Sequence, residues 1–182
     1  DRYPYEIGSH IGDALNPLEK VFNLGLRFLS FVTFLGHGKD KTIIYKVDHH
    51  AKFELRVNTL DKFVVWEIWK VREYRDPDFE IRPHDIVVDI GAHIGVFSVY
   101  AAKNARGGEV YSYEPQRDNY RQLLKNKALN NLDNIHPFNL AVTDKKGSLD
   151  FFIGSDNAVN SIYQTESTRR IKVQAVTMED IL

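Results

Sequence analysis

The stretch from Ile86 to Ala102 limits the fold more than any other part of the chain. It opens with five residues, Ile86 to Ile90, that are apolar except for Asp89. Glycines follow at Gly91 and Gly95, and a helical pattern runs on to Lys103. A short buried strand, a glycine-rich turn and a helix make the opening unit of a nucleotide-binding Rossmann-type domain. Gly91 lets the chain turn tightly off the strand. Gly95 lets backbone and ligand, or helix and strand, approach with no Cβ between them. The helix start then points N–H groups and a positive dipole end into the crevice.

The turn reads Gly-x-x-x-Gly, whereas the dinucleotide fingerprint reads Gly-x-Gly-x-x-Gly. His93 stands where a second glycine would admit a pyrophosphate. A bulky residue there suits a ligand with no phosphate, such as S-adenosylmethionine. A second acid follows in register. Glu109 to Tyr113 alternates as a strand and ends in Glu114-Pro115. An acid at the tip of a second strand, about 20 residues past the glycines, is placed to accept from both ribose hydroxyls. Neither piece is specific alone, but the two in this order and spacing are.

Four segments together resemble the FkbM-type methyltransferases. They are Asp89-Ile-Gly-Ala-His-Ile-Gly95, Glu114-Pro115, Leu123 to Asn130, and Asn139 to Gly147. That family is class I, S-adenosylmethionine-dependent and O-methylating, and the resemblance runs from Arg56 to Leu182. It implies that Asp89, Gly91, Ala92, His93 and Gly95 line the methionine end of the cofactor. It also implies that Glu114 holds the ribose and that Leu140 and Ala141 border the adenine.

Composition sets the outer bounds. The chain has 182 residues, of which 43% are hydrophobic, enough for an ordinary core. Its net charge of −1 supplies no bulk attraction to nucleic acid or to an anionic membrane, so no nucleic-acid partner is expected. With no cysteine, disulfides, thiolate metal sites and a cysteine nucleophile are excluded.

Ahead of the core, Leu18 to Leu35 is strongly apolar, with a narrow polar stripe through Asn16, Lys20, Asn23, Arg27 and Ser30. Three placements stay open: a helix packed on the domain or on a partner subunit, an interfacial membrane helix, or a membrane span. Arg27 argues against the last. Thr42 to Val47 and Phe53 to Val57 read as a β-hairpin around Asp48-His-His-Ala51. Adjacent histidines point apart on such a turn, so no metal site is expected. Lys62 to Tyr74 reads as a helix burying Phe63, Trp66, Ile68 or Trp69, and Val71. The polar stretch Arg75 to Pro83 divides an N-terminal addition, 1–82, from the core, 83–182.

Within the core, helices are predicted over Ile94–Lys103 and from about Gln116 to Asn130, the second burying Tyr120, Leu123, Leu124 and Ala128. A third strand lies within Ile135 to Val142. The βαβαβ alternation predicts a parallel sheet of strand order 3-2-1 at its start. Further strands are read at Ser148–Ile153 and Ile171–Ala175. Thr177 and Asp180 make a capping box. The reading ends before a fourth core strand, so we expect a piece of a longer Rossmann-like methyltransferase.

The functional expectation is an O-methyltransferase acting on a hydroxyl of a sugar, lipid-linked glycan or other small metabolite. Two alternatives stay open: a non-catalytic binding domain that retains the fold, and a nicotinamide-dependent oxidoreductase. No catalytic base is assigned, since His93 reads better as a shaper of the loop. The protein is expected in the cytoplasm, with membrane association through 18–35 and a homodimer both open.

Overall fold

In the computed structural model the described residues are 41–47, 51–57, 59–71, 80–154, 160–161 and 169–182. The chain divides into two units, Asp1–Gly38 and Lys39–Leu182, and every described residue lies in the second. The apolar segment 18–35 and the His49-His50 pair therefore lie outside the described residues.

The predicted hairpin is present as β1 (Thr42–Val47) and β2 (Ala51–Arg56), antiparallel from Thr42↔Arg56 to Val47↔Ala51. Alternation sends Ala51, Phe53 and Leu55 inward, where they join the main core with Val65, Ile94, Val99 and Val110. Burying Phe53 and Leu55 completely stabilises by about 1.5–3 kcal/mol each. Helix α1 spans Asp61–Trp66 and widens into a π turn over Glu67–Val71. Its inward residues are Asp61, Val65 and Ile68, whereas Trp66 is exposed and stacks on Phe63 at 5.9 Å. Ile68 and Trp69 face the core as the sequence reading had them, whereas Trp66 does not and Val65 takes its place. Asp61, an acid, occupies a place that an apolar-periodicity rule cannot assign.

The core sheet is β3 (Ile86–Ile90), β4 (Glu109–Tyr113) and β5 (Ile135–Phe138), all parallel, in the order β3-β4-β5. This is the predicted 3-2-1 start. Helix α2 (Val96–Asn104) starts two residues later than predicted. It is apolar almost all round because it is covered on two sides. Val96, Val99 and Ala102 belong to the main core, while Tyr100 meets Trp69 edge-on at 5.6 Å.

Helix α3 (Arg117–Leu129) buries a different face from the one predicted. Asn119, Gln122, Leu123 and Asn126 are inside, while Leu124 is 39% exposed. The cause is β2. Its outer edge would present unpaired backbone groups, and the amides of α3 supply the partners. Asn130 bonds both the N–H and the C=O of Lys52. Asn126 Oδ1 accepts from Glu54 N at 2.7 Å, and Gln122 Nε2 donates to Glu54 O at 2.7 Å. A row of side chains thus stands in for a third strand.

The predicted third strand breaks at Asn139, whose Nδ2 donates to the carbonyls of Glu114 and Pro115 and diverts the chain. Beyond it lies a second sheet of β6 (Ala141–Val142), β7 (Gly147–Ile153), β8 (Asn160–Ser161) and β9 (Arg169–Val176), in the order β6-β9-β7-β8. Its own core is Ala141, Phe151, Ile153, Val173 and Ala175. Helix α4 (Met178–Ile181) carries the predicted Thr177–Asp180 capping box.

Candidate cofactor site

The turn after β3 is held across the end of β4. The N–H groups of Gly91 and Ala92 both donate to Tyr113 O, at 2.9 and 3.0 Å. Gly91, His93 and Gly95 all lie in the left-handed region, with φ of 79°, 51° and 81°. The two glycines have different jobs. A Cβ on Gly91 would meet nothing within 4 Å, so conformation alone demands glycine there. A Cβ on Gly95 would lie 2.8 Å from Leu123 Cγ. The close approach that Gly95 permits is therefore to α3. His93 has no such licence, and its left-handed backbone costs about 1–2 kcal/mol.

Asp89 sits beneath this turn, 8% exposed, and accepts from Ser98 Oγ at 2.6 Å. Ser112 Oγ donates in turn to Ser98 Oγ at 2.9 Å. The backbone N–H of Ser98 also bonds Asp89. Helix α2 begins at Gly95, which has no side chain to cap it. Asp89 does the capping from the neighbouring strand, so a carboxylate of the protein already answers the positive end of α2. Desolvation pushes the Asp89 carboxyl up to about 6, against the pull of the two Ser98 bonds.

Glu114 forms the other wall. It is buried at 4% exposure, with Oε2 accepting from His93 N and Oε1 from Gln116 N, both at 2.8 Å. Burial raises its carboxyl, and the donors from Gln116, His93 and the Asn119 side chain oppose that rise. Three donors against about four acceptor positions leave capacity for one ribose hydroxyl. Holding a second requires one protein donor to yield. Burial of two acids near one turn matches a ligand bearing a cation and sugar hydroxyls. The residues therefore fit S-adenosylmethionine.

A third group was not assigned from the sequence. Arg56, at the end of β2, is fixed to Asp61 by three bonds. They run from its backbone N (2.9 Å), Nε (2.9 Å) and Nη2 (2.7 Å). Nη1 donates to Asn119 Oδ1 at 2.8 Å, and Nη2 lies 3.3 Å from His93 Nε2. Asp61 is fully buried, so the pair is desolvated on its acidic side. The available signal was the row Asn119, Gln122, Asn126 and Asn130, uncharged amides at helical spacing that avoid the charged stripe of the same helix.

The structure thus brings Asp89, Gly91, Ala92, His93, Gly95 and Glu114 to one end of β3 and β4. Leu140 follows Asn139, which is tied to the Glu114 carbonyl, and is half-buried. The Ala141 side chain is buried in the core of the second sheet.

A parallel 3-2-1 sheet start, a glycine turn after its first strand and an acid at the tip of its second define the Rossmann-like core of a class I methyltransferase. The sequence profile of the Methyltransferase FkbM domain matches residues 89–182. The chain belongs to the FkbM methyltransferase family, whose cofactor is S-adenosylmethionine. It is 39% identical over 54 residues to the 31-O-demethyl-FK506 methyltransferase FkbM of Streptomyces tacrolimicus, a match covering 30% of this chain and 21% of that protein. It is 30% identical over 101 residues to the tRNA(Phe) (4-demethylwyosine(37)-C(7)) aminocarboxypropyltransferase of Methanocaldococcus jannaschii. That match covers 56% of this chain and 39% of the relative. The crystal structure of M. jannaschii TYW2 in complex with AdoMet overlaps in part, with TM-score 0.42 and 28% identity over 57% of this chain and 45% of that one. The matches thus span between 21% and 39% of the length of these curated relatives.

Proposed function

We propose that the protein uses S-adenosylmethionine to methylate a hydroxyl of a sugar, lipid-linked glycan or other small metabolite. The observation that carries the donor half is the turn from Gly91 to Gly95 fastened to Glu114, with α2 capped internally by Asp89. A helix start already answered by a carboxylate is a poor seat for a pyrophosphate, which weighs against a nicotinamide dinucleotide. When bound, the cofactor supplies a methyl group on a sulfonium. The chain's part is to hold it and keep it dry. Gly91, Ala92 and His93 would bed the cofactor and Glu114 would hold its sugar, leaving its methyl group to be presented to the acceptor hydroxyl.

The FkbM relative, named for a demethyl-FK506 substrate, supports the small-molecule hydroxyl. A second reading, an RNA acceptor, is favoured by the relative named for tRNA(Phe). That name conflicts with the expectation of no nucleic-acid partner, which rested on net charge and on reading the basic back of α3 (Arg117, Arg121, Lys125 and Lys127) as solvated. Calorimetry with S-adenosylmethionine tests the donor half. Transfer of labelled methyl from S-adenosylmethionine, run in parallel on cell-envelope glycans and on total tRNA, tests the acceptor. Label in the glycan fraction supports the hydroxyl reading, and label confined to tRNA overturns it.

A further inference from the structure

We propose that Arg56, on the hairpin that precedes the core, is a positioning residue for the cofactor turn. This rests on the cofactor reading above. Arg56 closes a ring of contacts around the mouth of the site. On one side its Nη2 reaches His93 Nε2 at 3.3 Å, and the backbone N–H of His93 reaches Glu114 Oε2 at 2.8 Å. On the other side its Nη1 donates to Asn119 Oδ1 at 2.8 Å, and the Asn119 side chain bonds the Glu114 carboxylate. Both walls of the site therefore refer to one guanidinium.

The guanidinium is itself fixed. Asp61 accepts from Nε, Nη2 and the backbone N–H of Arg56, and Asp61 N is held by Thr59 Oγ1 at 3.2 Å. A planar fork gripped on one edge by a carboxylate presents its remaining donors in set directions, which an ammonium cannot do. His93 Nε2 lies 3.3 Å from Arg56 Nη2 and 3.8 Å from Asp61 Oδ1, so the ion pair holds the ring at that nitrogen. A further consequence is backbone geometry. His93 keeps φ at 51°, an unfavourable value for a side-chain-bearing residue, and the contacts at both ends of the residue hold it there.

The test uses the full chain and reads S-adenosylhomocysteine binding by calorimetry together with the ring-nitrogen shifts of His93 by NMR. Arg56→Lys keeps the charge but not the fork. It is expected to weaken binding about tenfold, the equivalent of one lost hydrogen bond. It is also expected to shift the ring nitrogens of His93, whose Nε2 loses its contact with the fork. In a His93→Ala background the same change should have a smaller further effect on binding, the part carried through Asn119 to Glu114. Arg56→Gln with Asp61→Asn removes both charges together and serves if the lysine variant fails to fold. Unchanged affinity and unchanged ring shifts in the Arg56 variants overturn the proposal while leaving the cofactor reading intact. Absence of binding by the wild-type chain overturns the cofactor reading instead. The ring shifts need no ligand and then decide whether Arg56 orients His93.

Discussion

The backbone N–H of His93 lies 2.8 Å from Oε2 of Glu114, and that bond fastens the turn after β3 to the tip of β4. The other oxygen accepts from Gln116 N. Two backbone donors thus converge on one carboxylate. Glu114→Gln replaces one acceptor with an NH2 group that faces a backbone N–H. The misfit is expected to cost about 1–3 kcal/mol, offset in part by removing a buried charge. Affinity for S-adenosylmethionine should fall at least tenfold, because the sugar partner and the turn are altered together. Calorimetry and urea unfolding of the same sample measure both. Wild-type affinity in this variant would remove Glu114 from the site.

The two glycines of the turn separate experimentally. Gly91→Ala meets open space and incurs only the left-handed backbone penalty, about 1–2 kcal/mol. Gly95→Ala incurs that penalty and also drives a methyl to 2.8 Å from Leu123 Cγ. It should therefore be the more damaging by unfolding midpoint, and Leu123→Ala should restore part of the loss. Equal midpoints for the two variants would mean that α2 and α3 shift apart without penalty.

Asp89 gives a pH signature. Its folded-state carboxyl stands at about 6, against an ordinary value of 3.8. The folded chain thus holds this proton more tightly than the unfolded chain. The sign follows: stability from this group is fully present below about 3.8, falls as pH rises from there through about 6, and about half of that fall lies above pH 5. The loss is on the order of 3 kcal/mol. Asp89→Asn keeps an acceptor for Ser98 and does not titrate. Urea unfolding at about pH 5 and about pH 7.5 should show the variant gaining on wild type with rising pH. Its affinity for a cationic cofactor should fall at the same time, a trade of function against stability. A constant difference between the two proteins across that range would contradict the buried ionised state.

The periodicity of Ile86–Ile90 and Glu109–Tyr113 located β3 and β4 to the residue, and the acid at Glu114 followed from them. Runs of β-forming residues bounded by turns write their limits in the sequence, even in β3, where Ile86 and Ile90 are exposed and Asp89 is the buried residue. The inward face of α3 was not legible in the same way. Asn119, Gln122 and Asn126 look solvent-facing until the edge of β2 is placed against them, and that edge lies some 70 residues earlier in the chain. Arg56 and Asp61 were hidden for the same reason. A pair of opposite charges on a hairpin end reads as surface, and only the fold reveals that Asp61 is fully buried.

Asn126 is where the hairpin, the turn and α3 meet, and its substitution is the sharpest stability test. Nδ2 donates to Ile94 O at 2.9 Å and Oδ1 accepts from Glu54 N at 2.7 Å, with no exposure to solvent. Asn126→Leu fills the space but leaves one buried carbonyl and one buried N–H without a partner. The expected loss is about 1–3 kcal/mol for each orphaned group. Asn126→Asp keeps the acceptor for Glu54 N but turns a carboxylate oxygen toward Ile94 O. Burial disfavours that charge, so the acid takes up its proton above its ordinary pKa and can then donate to Ile94 O. The aspartate variant should therefore recover stability as pH falls, while the leucine variant should not. Urea unfolding over the acidic range separates the two. Parallel pH profiles for both variants would mean that Asn126 fills space and that its two bonds contribute nothing.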